Sequence, residues 1–180
     1  MKRGHFLLAT ICSTMAILAN AHGQQHPPEL GVSGAHTIVA RCEDTQQRHR
    51  QAVVIEACTA LIDLFSPPAT GTRLQTPEDR EQLAQSFVFR AMAWTRFGNL
   101  DQAQSDYDAA LELLPNRPSL LRHRCIFHII TNREVDRGMA DCVHWQSQNP
   151  RSSEALAWEG FARLRRGEFE IATERFNAAL

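Results

Sequence analysis

The chain has 180 residues, with 19 Lys and Arg against 20 Asp and Glu, and 43% of its residues are hydrophobic. That length fits one domain with its own core, and the near-neutral balance offers no basic patch, which argues against a nucleic-acid partner. Lys2 is the only lysine, so a Schiff-base lysine, a phosphate-loop lysine and a Ser-Lys catalytic pair are excluded from everything that follows it.

The first element is a leader. Lys2 and Arg3 precede an uncharged, largely apolar run from Phe6 to Leu18, and Ala19-Asn20-Ala21 supplies a small-x-small cleavage signature. The run is shorter than the roughly 20 residues that cross a bilayer, so residues 1–21 read as a signal peptide cleaved after Ala21. Export to the periplasm or beyond is expected, with no membrane span. Cys12 fits a lipoprotein poorly, because bulky Ile11 stands where a small residue should precede a lipidated cysteine. Removing Lys2 and Arg3 leaves 17 cations against 20 anions.

Residues 22–34, HGQQHPPELGVSG, are polar and rich in Gly and Pro, and read as a flexible lead-in. Residues 35–65 form an early helical block, and a Pro/Gly-rich linker at 66–76 separates it from the rest. Thr76 is placed to cap the next helix, with Pro77 in its first turn and Glu78 and Asp79 where the helix dipole favours negative charge. The helix after Gly98 carries Ala103, Tyr107, Ala110, Leu111 and Leu114 on one stripe. Asn99 caps it, with Gln102 three residues on, and Pro115 stops it. No alternating pattern calls for a strand, so the fold class is all-α.

Four segments superpose: VIEACTAL from Val54, AQSDYDAA from Ala103, GMADCVHW from Gly138 and ATERFNAA from Ala172. Their starts lie 49, 35 and 34 residues apart, the first interval being lengthened by the linker. A partner helix precedes each of the last three, so the unit is helix, short turn, helix. Phe87, Ala91, Trp94, Gly98, Ala103, Tyr107, Ala110 and Pro115 carry the pattern, as do Leu156, Gly160, Gly167, Ala172, Phe176 and Ala179 in the last unit. This pattern resembles the tetratricopeptide (TPR) repeat. The unit at Gly138 is degenerate, with Gly138 and Trp145 replacing small Ala residues and one extra residue in its turn, and the Val54 unit is only half recognisable. The resemblance covers residues 77–180 well and 35–65 weakly, and the wording of the units is similar to small exported TPR proteins of Gram-negative bacteria. It implies a short right-handed superhelix of three to four antiparallel helical hairpins.

Four cysteines follow the leader, and an even count in an exported chain invites disulfides. Cys58 and Cys142 occupy the repeat column of Tyr107 and Phe176. Cys125 falls in the column of Ala91, and Cys42 lies at the corresponding offset before Cys58. In an antiparallel hairpin these columns face each other, so the repeat selects Cys42–Cys58 and Cys125–Cys142, each stapling one hairpin. The rivals are free buried thiols, or a zinc ion held by Cys125, His128, Cys142 and His144. His144, two residues beyond Cys142 on a helix, points about 200° away from it, which tells against the metal. His128 then reads as a core-edge histidine in the column of Trp94. Neither metal nor cofactor is expected.

No GxSxG, HExxH, P-loop or GxGxxG pattern occurs, and no enzymatic activity is expected. The acidic runs at Asp106 and Glu168 read as solvated helix faces. Arg90 and Arg124 share a column and are expected to pair with a neighbouring carboxylate. In TPR proteins the first helix of each unit lines a concave groove. By alignment that face presents Val88, Phe89, Met92 and Arg96, then Arg122, His123, Ile126 and Ile130, then Ala157, Trp158, Phe161 and Arg165. Apolar anchors ringed by Arg suit an extended or helical peptide with acidic residues, although Phe89, Ile126 and Ile130 could equally pack against neighbouring helices. The carboxylate clamp of some TPR domains is absent, since it needs lysine. The sequence stops at Leu180 without a polar capping helix, which solenoids require; truncation or coverage by another subunit is expected. The first expectation is a non-enzymatic envelope scaffold that binds a protein or peptide. The alternative is a structural subunit that oligomerises through its C-terminal edge.

Overall fold

Helix boundaries follow from local chemistry. In the computed structural model, which describes residues 32–44, 50–65 and 76–180, Thr76 and Asp79 form a reciprocal capping box, each backbone N–H bonding the other's side chain at 3.1 Å. Pro77 occupies the first turn, and the helix closes on Gly98 at φ 89°, a left-handed position that glycine adopts without steric cost. Ser152 Oγ accepts from the N–H of Ala155 to open a later helix. Asn99 accepts a longer bond, 3.5 Å, from the N–H of Gln102.

Among the described residues there are eight helices and no strand: α1 (Val32–Glu43), α2 (Gln51–Phe65), α3 (Pro77–Phe97), α4 (Leu100–Leu113), α5 (Pro118–Thr131), α6 (Val135–Gln148), α7 (Ser153–Arg165) and α8 (Phe169–Ala179). α1 starts at Val32, inside the stretch expected to be flexible. The leader at 1–21 and the linker residues 66–75 lie outside the described residues. Each helix packs on the next, and α1, α3, α5 and α7 also touch in succession. The chain is therefore a row of helical hairpins whose first helices stack. The stripe read on α4 is the packed face: Ala103, Tyr107, Ala110 and Leu111 are buried and Leu114 lies against the same core.

One pair of facing positions recurs in every hairpin, and its occupants differ. In the first it is Cys42–Cys58 and in the third Cys125–Cys142, both disulfides, with Cα atoms 4.8 and 5.2 Å apart. These are the two pairs that the repeat columns select. In the second hairpin Ala91 faces Tyr107, and both are buried. In the fourth it is Gly160 under the ring of Phe176. Cystine, Ala with Tyr and Gly with Phe are three ways to fill one gap between two helices. The disulfides fit an oxidising compartment outside the cytoplasm. With both sulfurs of each pair consumed, the zinc alternative falls. His144 is exposed and bonds Gln148, and no group among the described residues is arranged to hold a metal ion.

Candidate functional site

One residue before that gap stands a charged column, which in the second and third hairpins also ties the hairpin to the one before it. Arg90 of α3 forms a two-pronged bond to Asp106 of α4, Nε to Oδ2 at 2.8 Å and Nη2 to Oδ1 at 2.7 Å. Its remaining Nη1 donates at 3.0 Å to Thr59 of α2, in the hairpin before. Arg124 repeats the arrangement one unit on, gripping Asp141 at 2.7 and 2.9 Å and donating to Asp108 of α4 at 2.8 Å. The guanidinium suits this role because its fixed fork serves a carboxylate with two nitrogens and leaves others for a second helix.

The fourth hairpin reverses the polarity. Glu159 stands in the Arg column and Arg175 opposite, 3.3 Å apart, with Arg163 also reaching Glu159. The position that Thr59 and Asp108 fill in the preceding hairpin is here Val143, which accepts nothing. An arginine at 159 would have lost half its partners; the glutamate needs none there.

The acidic residues of α4 correct the expectation of a solvated face. Asp106 is buried. Asp108 bonds Gln104, Arg124 and Arg137; burial works against its charge, but these donors outweigh it and hold its carboxyl below the usual range. Asp141, Glu159 and Arg175 went unnoticed in the sequence. Their signal was a charge beside each gap residue, hidden because its sign flips in the last unit.

The face expected to form a groove runs along α3, α5 and α7. Its columns are Val88/Arg122/Ala157, Phe89/His123/Trp158, Met92/Ile126/Phe161 and Arg96/Ile130/Arg165. Val88 does not belong to it: the side chain is fully buried in the main core among Ala84, Ala91 and their neighbours. Phe89 is half-buried against the core of the first hairpin, and Met92, Ile126 and Trp158 are half-buried against the main core. Phe161 is exposed, its ring centroid 5.4 Å from Trp158 and 5.0 Å from Phe176. Ile130 is 52% exposed.

The electrostatics of this face differ from a ring of free arginines. Arg122 is held by Glu154 of α7 and lies over the ring of Trp145. Among the described residues, only Arg96 and Arg165 of the three make no ion pair, and both are exposed. His123 is pushed down to about 4 by burial first and by Arg122 second, against the pull of Glu154. The ring is therefore neutral at pH 7 and can offer either a donor or an acceptor.

His128 lies in the core, not at its edge. It is fully buried, its Nδ1 is 2.9 Å from the carbonyl of Arg133, and its Nε2 has no hydrogen-bond partner among the described residues. No protein-family model matches this chain, and no curated protein matches it significantly.

Proposed function

We propose that the chain is a TPR-like, non-enzymatic scaffold of the bacterial cell envelope that binds a segment of another protein along α3, α5 and α7. The observation carrying this reading is the row of half-exposed apolar side chains, Met92, Ile126, Trp158 and Phe161, with exposed Arg96 and Arg165 one helical turn further along α3 and α7. Anchors that already rest on the core lose little side-chain entropy when covered, which favours them as contact points. The unpaired guanidinium groups favour an acidic residue near one or both ends of the segment. Two disulfides and the leader-like N-terminal sequence support a periplasmic setting.

The test is photo-crosslinking in an envelope extract, with a probe at Ile130 and with Met92, Trp158 and Phe161 changed singly to Ala. A specific partner should appear and weaken in each variant, while the circular dichroism spectrum shows each variant still folded at the assay temperature. Capture that survives all three changes refutes the groove.

A further inference from the structure

The gap between the two helices of a hairpin is filled in alternation along the row. The first and third hairpins hold Cys42–Cys58 and Cys125–Cys142, whereas the second holds Ala91 with Tyr107 and the fourth Gly160 with Phe176. Each of the three junctions between described hairpins therefore joins a bonded hairpin to a packed one. In a stacked array a unit contacts only its neighbours, and its stability rests in large part on those interfaces. Among the described hairpins, no packed one has a packed neighbour.

Free thiols do not fill the bonded gaps equally well. The helices pass there with Cα atoms 4.8 and 5.2 Å apart, and all four cysteines are at most 1% exposed. Two sulfurs joined by a bond occupy a space that two thiols, kept at van der Waals separation, overfill. In the third hairpin the resulting displacement reaches both neighbours. Cys125 and Cys142 share one continuous core with Ala91 and Tyr107 of the hairpin before and with Ala155 and Ala162 of the hairpin after. The ring of Phe127, two residues past Cys125, lies 5.1 Å from that of Tyr107. Arg124, one residue before Cys125, spans from Asp141 on α6 to Asp108 on α4, so parting α5 from α6 breaks its grip.

We infer that oxidation of these two cysteine pairs gates the folding of the whole row: as thiols, they bring down the packed hairpins together with the bonded ones. The bonds close loops of 16 and 17 residues, and each favours folding on the order of a hundredfold. Relief of the overfilled gap adds to this. As each bond forms by exchange, two cysteine thiols give up two electrons and two protons to the disulfide of an oxidant, which leaves as two thiols. The α3–α5–α7 face is thus assembled only where such an oxidant is present.

Refolding tests this on the full chain with Cys12→Ser, which leaves only the four paired cysteines. Unfolded in urea and diluted, the non-reduced chain should regain its full helical circular dichroism. Reduced and diluted into a phosphine reductant, it should regain less than half. Oxidised glutathione, added once the reductant is removed, should restore the remainder in step with the loss of free thiols. Cys125→Ala with Cys142→Ala, which keeps the first bond, should lower amide protection many-fold in α3, α4, α7 and α8 as well as in α5 and α6. A reduced chain that regains the full helical signal overturns the proposal. So does protection lost from α5 and α6 alone, which would make the bond a local staple, or a re-oxidised chain that stays unfolded.

Discussion

Gly160 lies directly beneath the ring of Phe176: a methyl group on its Cα would stand 2.7 Å from Cε1 of that ring. The same measure at Gly138 gives 2.5 Å to Cβ of His128, an atom fixed to its own backbone, whereas the half-buried ring of Phe176 can swing. At Gly98 nothing lies within 4 Å, and only the left-handed backbone resists a side chain.

These three glycines should therefore rank. Gly138→Ala should cost the most stability and Gly160→Ala about 1–3 kcal/mol through overpacking. Gly98→Ala should cost about 1 kcal/mol, set by its positive φ. Urea midpoints of the three variants check this. Gly160→Ala combined with Phe176→Leu should lose less than Gly160→Ala alone, since the smaller side chain makes room; equal losses would mean that the ring is not the obstacle.

The disulfides occupy the same gap, so they should be exchangeable with packing. Each closes a loop of 16 or 17 residues, and on chain-entropy grounds each contributes about 3 kcal/mol. Replacing Cys125 and Cys142 together by Ala should cost about that much plus the cavity. Cys125→Ala with Cys142→Phe, a copy of the small-on-aromatic pair, should recover part of the loss. Iodoacetamide without reductant should label none of Cys42, Cys58, Cys125 and Cys142 in the folded protein. Labelling of the second pair would contradict the bond.

Arg124 should be the most costly single charge to remove. It is largely buried, and its loss strands Asp141 and unbalances Asp108. Removing one member of a buried pair costs about 3–5 kcal/mol, so Arg124→Met should lower the midpoint strongly. Arg124→Lys should recover little, since an ammonium cannot serve two helices with a fork. Arg124→Met with Asp141→Leu should be milder than Arg124→Met alone, and a double variant as unstable as the single one would argue against a paired contribution.

Much of this was legible in the sequence because repeats compare a chain with itself. The period placed Cys58 and Cys142 in the column of Tyr107, and Cys125 in that of Ala91, and that register alone chose the disulfide partners. The caps at Thr76 and Gly98 were readable because their chemistry is local. Asp106 was misread because a helix surface in isolation does not show that Arg90 folds down on it from the neighbouring helix. Val88 was misplaced for the converse reason: a position that faces the groove in an average repeat is turned into the core here, between α3 and its neighbours. Glu159 and Arg175 escaped notice because a charge swap preserves the contact while erasing the residue pattern.

Mild acid should loosen the fold through two histidines. His123 sits at about 4, lowered by burial first and then by Arg122, with Glu154 opposing. His128 is lowered too, because burial outweighs its bond to the Arg133 carbonyl and the pull of Asp141 and Glu134. A group whose folded value lies below its unfolded one is protonated first in the unfolded chain, so stability is lost as pH falls from the unfolded value of about 6.5. For His123 that loss spans the window down to about 4 and reaches at most about 3 kcal/mol, less where solvent touches the ring. Asp108, held below the usual carboxylate range, gives up its contribution only at lower pH, so the histidines should dominate between about pH 7 and 5. Urea midpoints should fall across that interval. In His123→Gln the fall should be shallower, because the titrating ring is gone, and a slope unchanged in that variant would rule His123 out as its source.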